Sequence, residues 1–218
     1  MPDKNTLSVD LKLLNRTKAA LEKNNMNAFV ANDCAEAISI VKSLLKKGAT
    51  VGLGGSMSVF ESGCAELLKS GDYNFLDRST AEDVTKLYRE TFFADFYLCS
   101  SNAVTQNGEL YNVDGNGNRV ACICYGPEKV IMIVGKNKIV PTVKDAVMRV
   151  KQIAAPANCA RLSRETYCLE KGKCMGAEKD ICDGCLSPQR ICSSYVISGY
   201  QHIKGRINVI LVNENLGY

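Results

Sequence analysis

Apolar segments that alternate with amphipathic segments dominate this chain and restrict its fold most strongly. The apolar runs occupy residues 28–31, 50–53, 73–76, 95–99, 129–134 and 207–212. Segments with helical spacing lie between them, at 7–25, 35–46, 58–69, 81–92 and 141–153. Strands that are apolar on both faces and separated by helices predict an α/β fold, with a mostly parallel sheet covered by helices on both faces.

The chain length is compatible with one domain. With 218 residues, the chain can bury one large core, so we predict a single domain over 1–218. Asn107-Gly108 between two β-prone runs indicates a hairpin. Residues 157–194 are rich in cysteine and have little periodicity, and we interpret them as an insertion before the last strand, at 207–212.

Charge and composition exclude several classes of function. The net charge is +4, and no basic block or helix-turn-helix pattern is present, which argues against nucleic acid as a partner. The N-terminus lacks the apolar core of a signal peptide, and no apolar run has membrane-spanning length. We therefore predict a cytoplasmic protein without a membrane partner. The single histidine, His202, rules out a histidine-rich zinc site.

A glycine-rich loop joins a predicted strand to a predicted helix at 52–58. Gly54 and Gly55 would let a ligand approach the backbone, and Ser56 lies at the start of the helix, where free N–H groups bind anions. A tight turn with a serine cap is the alternative interpretation. The loop is not a dinucleotide fingerprint, because Met57 stands where the third glycine would be, and no Walker sequence follows.

Two carboxylates are candidates for catalysis. Glu61 has capping-box spacing from Ser58, and it is alternatively a carboxylate that faces the pocket beside the glycine loop. Asp114 begins a polar turn that resembles a calcium loop but lacks its glycine and its final glutamate. With Asn118 and Arg119, Asp114 forms a cluster suited to a carboxylate or phosphate ligand.

Two lysines follow a predicted buried strand. Lys136 and Lys138 come directly after the strand at 129–134. Open α/β sheets bind ligands at the carboxyl ends of their strands, so both lysines are candidates for binding an anion, although exposed lysines are more often only solvated.

Ten of the eleven cysteines divide into two groups, and Cys159 is intermediate between them. Five lie within 25 residues: Cys168, Cys174, Cys182, Cys185 and Cys192. Four of their thiolates could hold a zinc ion or a [4Fe–4S] cluster, although only one Cys-x-x-Cys pair is present. Redox-active thiols and disulfides are the alternatives. Five others lie among apolar residues and are predicted to be core residues: Cys34, Cys64, Cys99, Cys122 and Cys124.

Five motifs in order resemble the LUD-domain family. They lie at 54–63, 102–108, 113–119, 126–130 and 134–140, and the cysteines at 182–192 resemble the tail of its single-domain branch. The family is named for lactate utilization and includes lactate-utilization protein C. The resemblance implies a fold similar to the NagB/ribose-phosphate isomerase/CoA-transferase superfamily. It also implies partner iron–sulfur subunits that oxidise L-lactate to pyruvate.

A second resemblance covers residues 94–108. This segment is similar to a strand and turn of the isomerases that act on methylthioribose 1-phosphate, which have an acid at the position of Asn102. An asparagine does not titrate in a useful range, so this substitution argues against a proton-transfer isomerase. Asn102 and Asn107 of this motif stay candidates for binding a ligand.

Three functions fit these observations. The preferred prediction is a LUD-type subunit or accessory protein of an iron–sulfur oxidoreductase system for lactate or a related 2-hydroxy acid, which binds a small anionic ligand. A stand-alone isomerase or CoA-transferase-like enzyme is the first alternative. A metal- or redox-sensing protein that uses its cysteines is the second. Whether the chain is itself an enzyme is left open, and a homo-oligomer is compatible with all three.

Overall fold

The computed structural model describes residues 3–218 and contains a parallel sheet that forms the centre of the fold. Its six strands have the order β1-β10-β7-β4-β2-β3, and every pair is parallel. The strands are β1 (Asn27–Ala31), β2 (Thr50–Leu53), β3 (Asn74–Leu76), β4 (Phe96–Cys99), β7 (Lys129–Gly135) and β10 (Ile207–Val212). The six predicted strands are therefore all present, and the predicted α/β class is confirmed.

Helices cover both faces of this sheet. The α-helices are α1 (Lys4–Lys23), α2 (Cys34–Leu44), α3 (Met57–Glu61), α4 (Cys64–Leu68), α5 (Val84–Glu90), α6 (Asn118–Cys124), α7 (Val143–Arg149), α8 (Ala155–Arg161) and α9 (Tyr167–Lys171). Helices α2 and α4 pack on one face, where Val41 and Leu68 meet Val51 and Leu98. Helices α1 and α6 pack on the other face. Both faces are thus buried, as strands without polar alternation predict.

A second sheet lies after β4 in the chain and returns near its end. It contains β5 (Ala103–Thr105), β6 (Leu110–Asp114), β8 (Ile139–Val140) and β9 (Ser194–Ser198), in the order β8-β5-β6-β9. The predicted hairpin at Asn107-Gly108 joins β5 to β6. Gly108 has φ of 83°, and a Cβ there would lie 2.6 Å from the backbone of Ala20, so only glycine fits this turn against α1.

Two elements differ from the predictions. The helix predicted at 58–69 is two short helices, α3 and α4, because Gly63 between them has φ of 76°. Strand β9 follows the cysteine-rich segment directly and pairs with β6, so that segment ends on the second sheet before the chain returns to β10.

Side-chain caps fix the starts of the longer helices. Asp3 accepts hydrogen bonds from the first turn of α1, Asp33 from α2 and Asp83 from α5. Thr142 and Asp145 form a complete capping box at α7. No helix within residues 3–218 has the length and apolar character needed to cross a membrane.

The strand order changes direction between β2 and β4. The chain continues from β2 to β3 on one side, whereas the next strand of this sheet after β4 is β7, on the other side. The carboxyl ends of β2, β4 and β7 therefore lie side by side with a crevice at the point of reversal, which is where open α/β sheets bind ligands.

Candidate functional site

A cavity of about 430 Å³ opens at the carboxyl ends of β2, β4 and β7. The glycine loop after β2, residues 100–102 after β4 and Lys138 after β7 form its floor. The turn at 113–119 and residues 188–191 of the cysteine-rich segment form its walls. The cavity thus collects side chains from segments far apart in the chain, at the crevice that the topology predicts.

The described residues that line the cavity carry a large excess of positive charge. Its basic residues are the five arginines Arg78, Arg119, Arg161, Arg164 and Arg190, together with Lys138. Against them the described lining contains one carboxylate, that of Asp114. A concave surface with one sign of charge concentrates ions of the opposite sign, so the cavity is suited to an anion.

The glycine loop lies close to two side chains of the cavity. A Cβ on Gly54 would lie 2.9 Å from the Tyr97 hydroxyl, and a Cβ on Gly55 would lie 2.8 Å from a terminal nitrogen of Arg78. The absence of a side chain at Gly55 lets the Arg78 guanidinium rest on the loop backbone, and its absence at Gly54 makes room for the Tyr97 hydroxyl. Ser56 precedes α3, but its side chain makes no capping hydrogen bond.

Arg119 is the most extensively bonded cation of the cavity. Its Nη1 donates to the Ser100 carbonyl (3.2 Å) and to Asn112 Oδ1 (2.7 Å). Its Nη2 donates to Asn102 Oδ1 (2.9 Å) and to the Val113 carbonyl (2.6 Å). Four neutral acceptors therefore take up the terminal N–H groups and fix the guanidinium in place.

Asp114 accepts hydrogen bonds from the start of α6. Its Oδ2 lies 2.9 Å from the Arg119 amide nitrogen and 3.1 Å from that of Val120, and its Oδ1 lies 3.9 Å from Arg119 Nε. Asn118, the first residue of α6, also lines the cavity. The carboxylate of Asp114 thus orients the turn that presents Asn118 and Arg119.

Lys138 is a buried lysine that lines the cavity. Its side chain is 4% exposed, and Nζ lies 3.3 Å from Ser100 Oγ. Burial lowers the pKa of Lys138 to about 7, and the neighbouring Arg149 and Arg119 guanidinium groups contribute to this shift. The amine is therefore substantially uncharged near neutral pH.

Comparison with known proteins decides the family. The family model of the LUD domain matches residues 14–212. This chain belongs to the LUD domain family. No curated protein matches it. The crystal structure of a DUF162 family protein from Deinococcus radiodurans superposes with a TM-score of 0.53 at 16% sequence identity, over 93% of this chain and 98% of that one. At this identity the similarity shows the fold.

The structure of this LUD-domain protein brings most of the predicted ligand residues together. The predicted residues that line the cavity are Gly54, Gly55, Ser56, Asn102, Asp114, Asn118, Arg119 and Lys138. The glycine loop, Asn102 and Lys138 follow strands of the large sheet, whereas the turn at 114–119 follows β6 of the second sheet.

Three predicted residues lie outside the lining of the cavity. Glu61 accepts a hydrogen bond from the Gly217 amide (2.6 Å) instead of forming a capping box with Ser58. Lys136 Nζ binds Asp10 of α1 (2.6 Å). Asn107 lies in the β5–β6 turn, where its carbonyl accepts from the Asn24 side chain.

Sequence reasoning missed four of the arginines in the LUD-domain cavity: Arg78, Arg161, Arg164 and Arg190. They lie in separate segments of the chain, and each resembles a solvated surface charge in the sequence. Arg78 was the most accessible to prediction, because it follows the strand next to the glycine loop.

One arginine of this LUD-domain protein forms hydrogen bonds with the backbone of three of the five clustered cysteines. Arg190 donates to the carbonyls of Cys182 (3.0 Å), Cys185 (3.0 Å) and Cys192 (2.8 Å), and to the Tyr195 hydroxyl (2.6 Å). The backbone around three of the five cysteines is thereby fixed to a side chain that also lines the cavity.

The other two clustered cysteines lie apart from Arg190. Cys168 Sγ is 3.5 Å from the buried Cys159 Sγ, and the Cys174 amide donates to the Lys151 carbonyl (2.9 Å). Within residues 3–218, no three side chains of the kinds that bind metals are placed together as a metal site. The zinc or [4Fe–4S] ligand set therefore stays a prediction.

The remaining cysteines mostly occupy the core. Cys64, Cys99 and Cys122 are buried, as predicted. Cys34 is half-buried, and its thiol lies 2.8 Å from a Glu214 carboxylate oxygen. The prediction for Cys124 was wrong, because it is exposed at the end of α6, where the helix turns away from the sheet.

Proposed function

We propose that this LUD-domain protein binds a small organic anion in the cavity at the carboxyl ends of β2, β4 and β7. The observation that carries the proposal is the charge of the described lining, which contains five arginines and one carboxylate. The family's association with lactate utilization makes lactate or a related 2-hydroxy acid the preferred class of ligand. The chain would act as a subunit or accessory protein of an iron–sulfur oxidoreductase system.

The arrangement of the cations supports a carboxylate or phosphate ligand. Arg119 donates its terminal N–H groups to four neutral acceptors, so it contributes a fixed positive charge beside the cavity and does not have to rearrange when an anion binds. Arg78 follows β3 and reaches the cavity over Gly55. Planar guanidinium groups match the geometry of carboxylates and phosphates.

Calorimetric titration of the purified protein tests the binding site. L-lactate, pyruvate and oxalate would each be titrated into the wild type, Arg78→Met and Lys129→Met. Lys129 is exposed at the opposite end of β7, so its loss changes the net charge by the same amount without touching the cavity. We expect Arg78→Met to weaken binding about tenfold and Lys129→Met to leave it unchanged. Equal effects of the two variants would overturn the proposed site.

The partner component needs a separate assay. Lactate oxidation would be measured with a dye as electron acceptor, using iron–sulfur partner subunits with and without this protein. Oxidation that requires both components supports the role as a subunit. Turnover of a phosphosugar or an acyl-CoA by the purified chain alone would instead favour the stand-alone isomerase or CoA-transferase.

A metal- or redox-sensing function is a second candidate, and Arg190 is the observation that favours it. This residue binds the backbone of Cys182, Cys185 and Cys192 and also lines the cavity. A change at these thiols would therefore alter the cavity wall. Iron, zinc and acid-labile sulfide would be measured on protein purified without oxygen, and metal-free protein whose anion affinity is the same under reducing and oxidising conditions would contradict this candidate.

A further inference from the structure

The hydrogen-bond partners of the Lys138 amine differ from those of the half-buried Lys136 and the buried Lys151. Lys136 Nζ binds a carboxylate oxygen of Asp10, and Lys151 Nζ donates to the carbonyls of Gly176 and Asp180. Lys138 Nζ donates to one side-chain group, the hydroxyl of Ser100, at 3.3 Å. No carboxylate of residues 3–218 lies within ion-pairing distance of it.

Two guanidinium groups are fixed beside this amine. Arg119 Nη1 donates to the carbonyl of Ser100, the residue whose hydroxyl contacts Lys138 Nζ. Arg149 Nε donates to the carbonyl of Asn137, which directly precedes Lys138 (3.0 Å). Both cations are thus held in place by the backbone of the residues that position the lysine, and neither can move away when the amine is protonated.

The charged groups around Lys138 favour the neutral amine. Burial has the largest effect, and the guanidinium groups of Arg149 on α7 and Arg119 on α6 act in the same direction. Glu61 on α3 and Cys99 on β4 act in the opposite direction with smaller effect, and together these influences lower the pKa of Lys138 to about 7. A desolvated lysine beside another cation is the arrangement that makes an amine nucleophilic at neutral pH.

We propose that Lys138 forms an imine with a carbonyl compound that carries a carboxylate or phosphate group. The Nζ lone pair attacks the carbonyl carbon, and the C=O π electrons move to oxygen, which takes up a proton. Loss of water from this carbinolamine leaves a C=N bond between Nζ and the former carbonyl carbon. The step consumes one amine and one carbonyl, releases one water and involves no oxidation.

The cavity supplies what such a compound needs. Its anionic group would be bound by arginines of the lining such as Arg78, and the fixed guanidinium of Arg119 adds positive charge beside Lys138. A 2-oxo acid, the oxidised counterpart of a 2-hydroxy acid, has the carbonyl directly next to the carboxylate. The inference therefore rests on the proposed anion site and names the reactive group of its ligand.

Borohydride trapping tests the imine. The protein would be incubated with pyruvate, or in a second arm with dihydroxyacetone phosphate, and reduced with sodium borohydride, which converts an imine into a stable secondary amine. Intact mass spectrometry would count the adducts, and peptide mapping would locate them. We expect one adduct per chain, at Lys138, in at least one arm. The arm that reacts distinguishes a carboxylate ligand from a phosphate ligand.

Two variants and a binding control complete the test. Lys138→Met and Lys138→Arg should abolish the adduct, whereas Lys129→Met should form it as the wild type does. An adduct that maps elsewhere in the wild type, or no adduct in either arm, would overturn the inference whether or not the variants fold. Oxalate has no reactive ketone, so its binding by calorimetry separates the two proposals: oxalate binding without trapping defeats the imine only, whereas loss of both defeats the anion site as well.

Discussion

Asn102 Oδ1 lies 2.9 Å from Arg119 Nη2 and accepts a hydrogen bond from it, and the same oxygen accepts from the Val113 amide at 2.8 Å. This one amide oxygen therefore connects the segment after β4 to β6 and to the arginine of α6. An acid occupies this position in the isomerases that residues 94–108 resemble. A carboxylate here would neutralise Arg119, so the asparagine preserves the positive charge of the cavity while it keeps the same acceptor geometry.

Asn102→Asp should therefore weaken anion binding without unfolding the protein. The aspartate keeps an oxygen acceptor for both donors, so we expect the free energy of unfolding, measured in urea, to stay within about 1 kcal/mol of the wild type. The new negative charge beside Arg119 should lower the affinity for oxalate about tenfold in calorimetry. Unchanged affinity would show that Arg119 does not contact the anion.

Lys138→Met should stabilise the protein most strongly at low pH. The pKa of this lysine falls from an ordinary 10.5 to about 7 in the folded chain. The unfolded chain consequently binds more protons between these values, and the free energy of unfolding gains a contribution that rises with pH across this window. Below pH 7 the buried charge of Lys138 lowers the free energy of unfolding of the wild type by its full amount. This loss of stability disappears as the pH approaches 10.5.

The measurement for this prediction is chemical denaturation of both proteins at pH 6, 7.5 and 9. The variant should exceed the wild type by a few kcal/mol at pH 6, and the difference should shrink with rising pH. Lys129→Met, at the exposed end of the same strand, should show no such dependence. A difference that is constant with pH would mean that Lys138 keeps its charge in the folded state.

The sequence predicts the parallel sheet well because the signal is local. The strands of the large sheet are short apolar runs, and β4, β7 and β10 at its centre pack on both faces, so composition identifies them. Strand β9 escapes such reasoning because none of its residues is fully buried. Its existence depends on pairing with β6, which is a contact between distant parts of the chain.

The same distinction explains which residues of the cavity could be predicted. Asn118 and Arg119 are adjacent in one polar turn, so the sequence displays them as a cluster. Lys136 and Lys138 look equivalent, yet the short helical turn after β7 directs one to Asp10 and the other into the cavity. Arg190 lies at the cavity because the cysteine-rich segment folds back over the turn, which no local pattern in the sequence shows.

Gly55→Ala and Gly52→Ala should separate binding from stability. An added methyl group at residue 55 meets the far end of the Arg78 side chain, which can move, so the fold should persist while oxalate affinity falls about tenfold. An added methyl group at residue 52 would approach the buried side chain of Thr91 more closely than the one at residue 55 approaches Arg78. We therefore expect Gly52→Ala to lose about 2 kcal/mol of unfolding free energy. Equal destabilisation by both would contradict the placement of Arg78.

Arg190→Met should loosen the cysteine-rich segment and leave the large sheet intact. The arginine is the common donor to the carbonyls of Cys182, Cys185 and Cys192, so its loss leaves those carbonyls to solvent. Hydrogen bonds from a charged donor are individually worth about 2 kcal/mol, which is enough to change local opening. Amide hydrogen exchange should accelerate at least tenfold in residues 182–195 and stay unchanged in β7 and β10.

Arg164→Met is the matched control for this experiment. Arg164 also lines the cavity, but its side chain is exposed and makes none of these contacts with the cysteine carbonyls. It should weaken anion binding without changing hydrogen exchange in residues 182–195. If both variants accelerated exchange there equally, the segment would be held by the overall charge of the cavity wall and not by Arg190. If only Arg190→Met did so, the thiols and the ligand cavity would share one structural support.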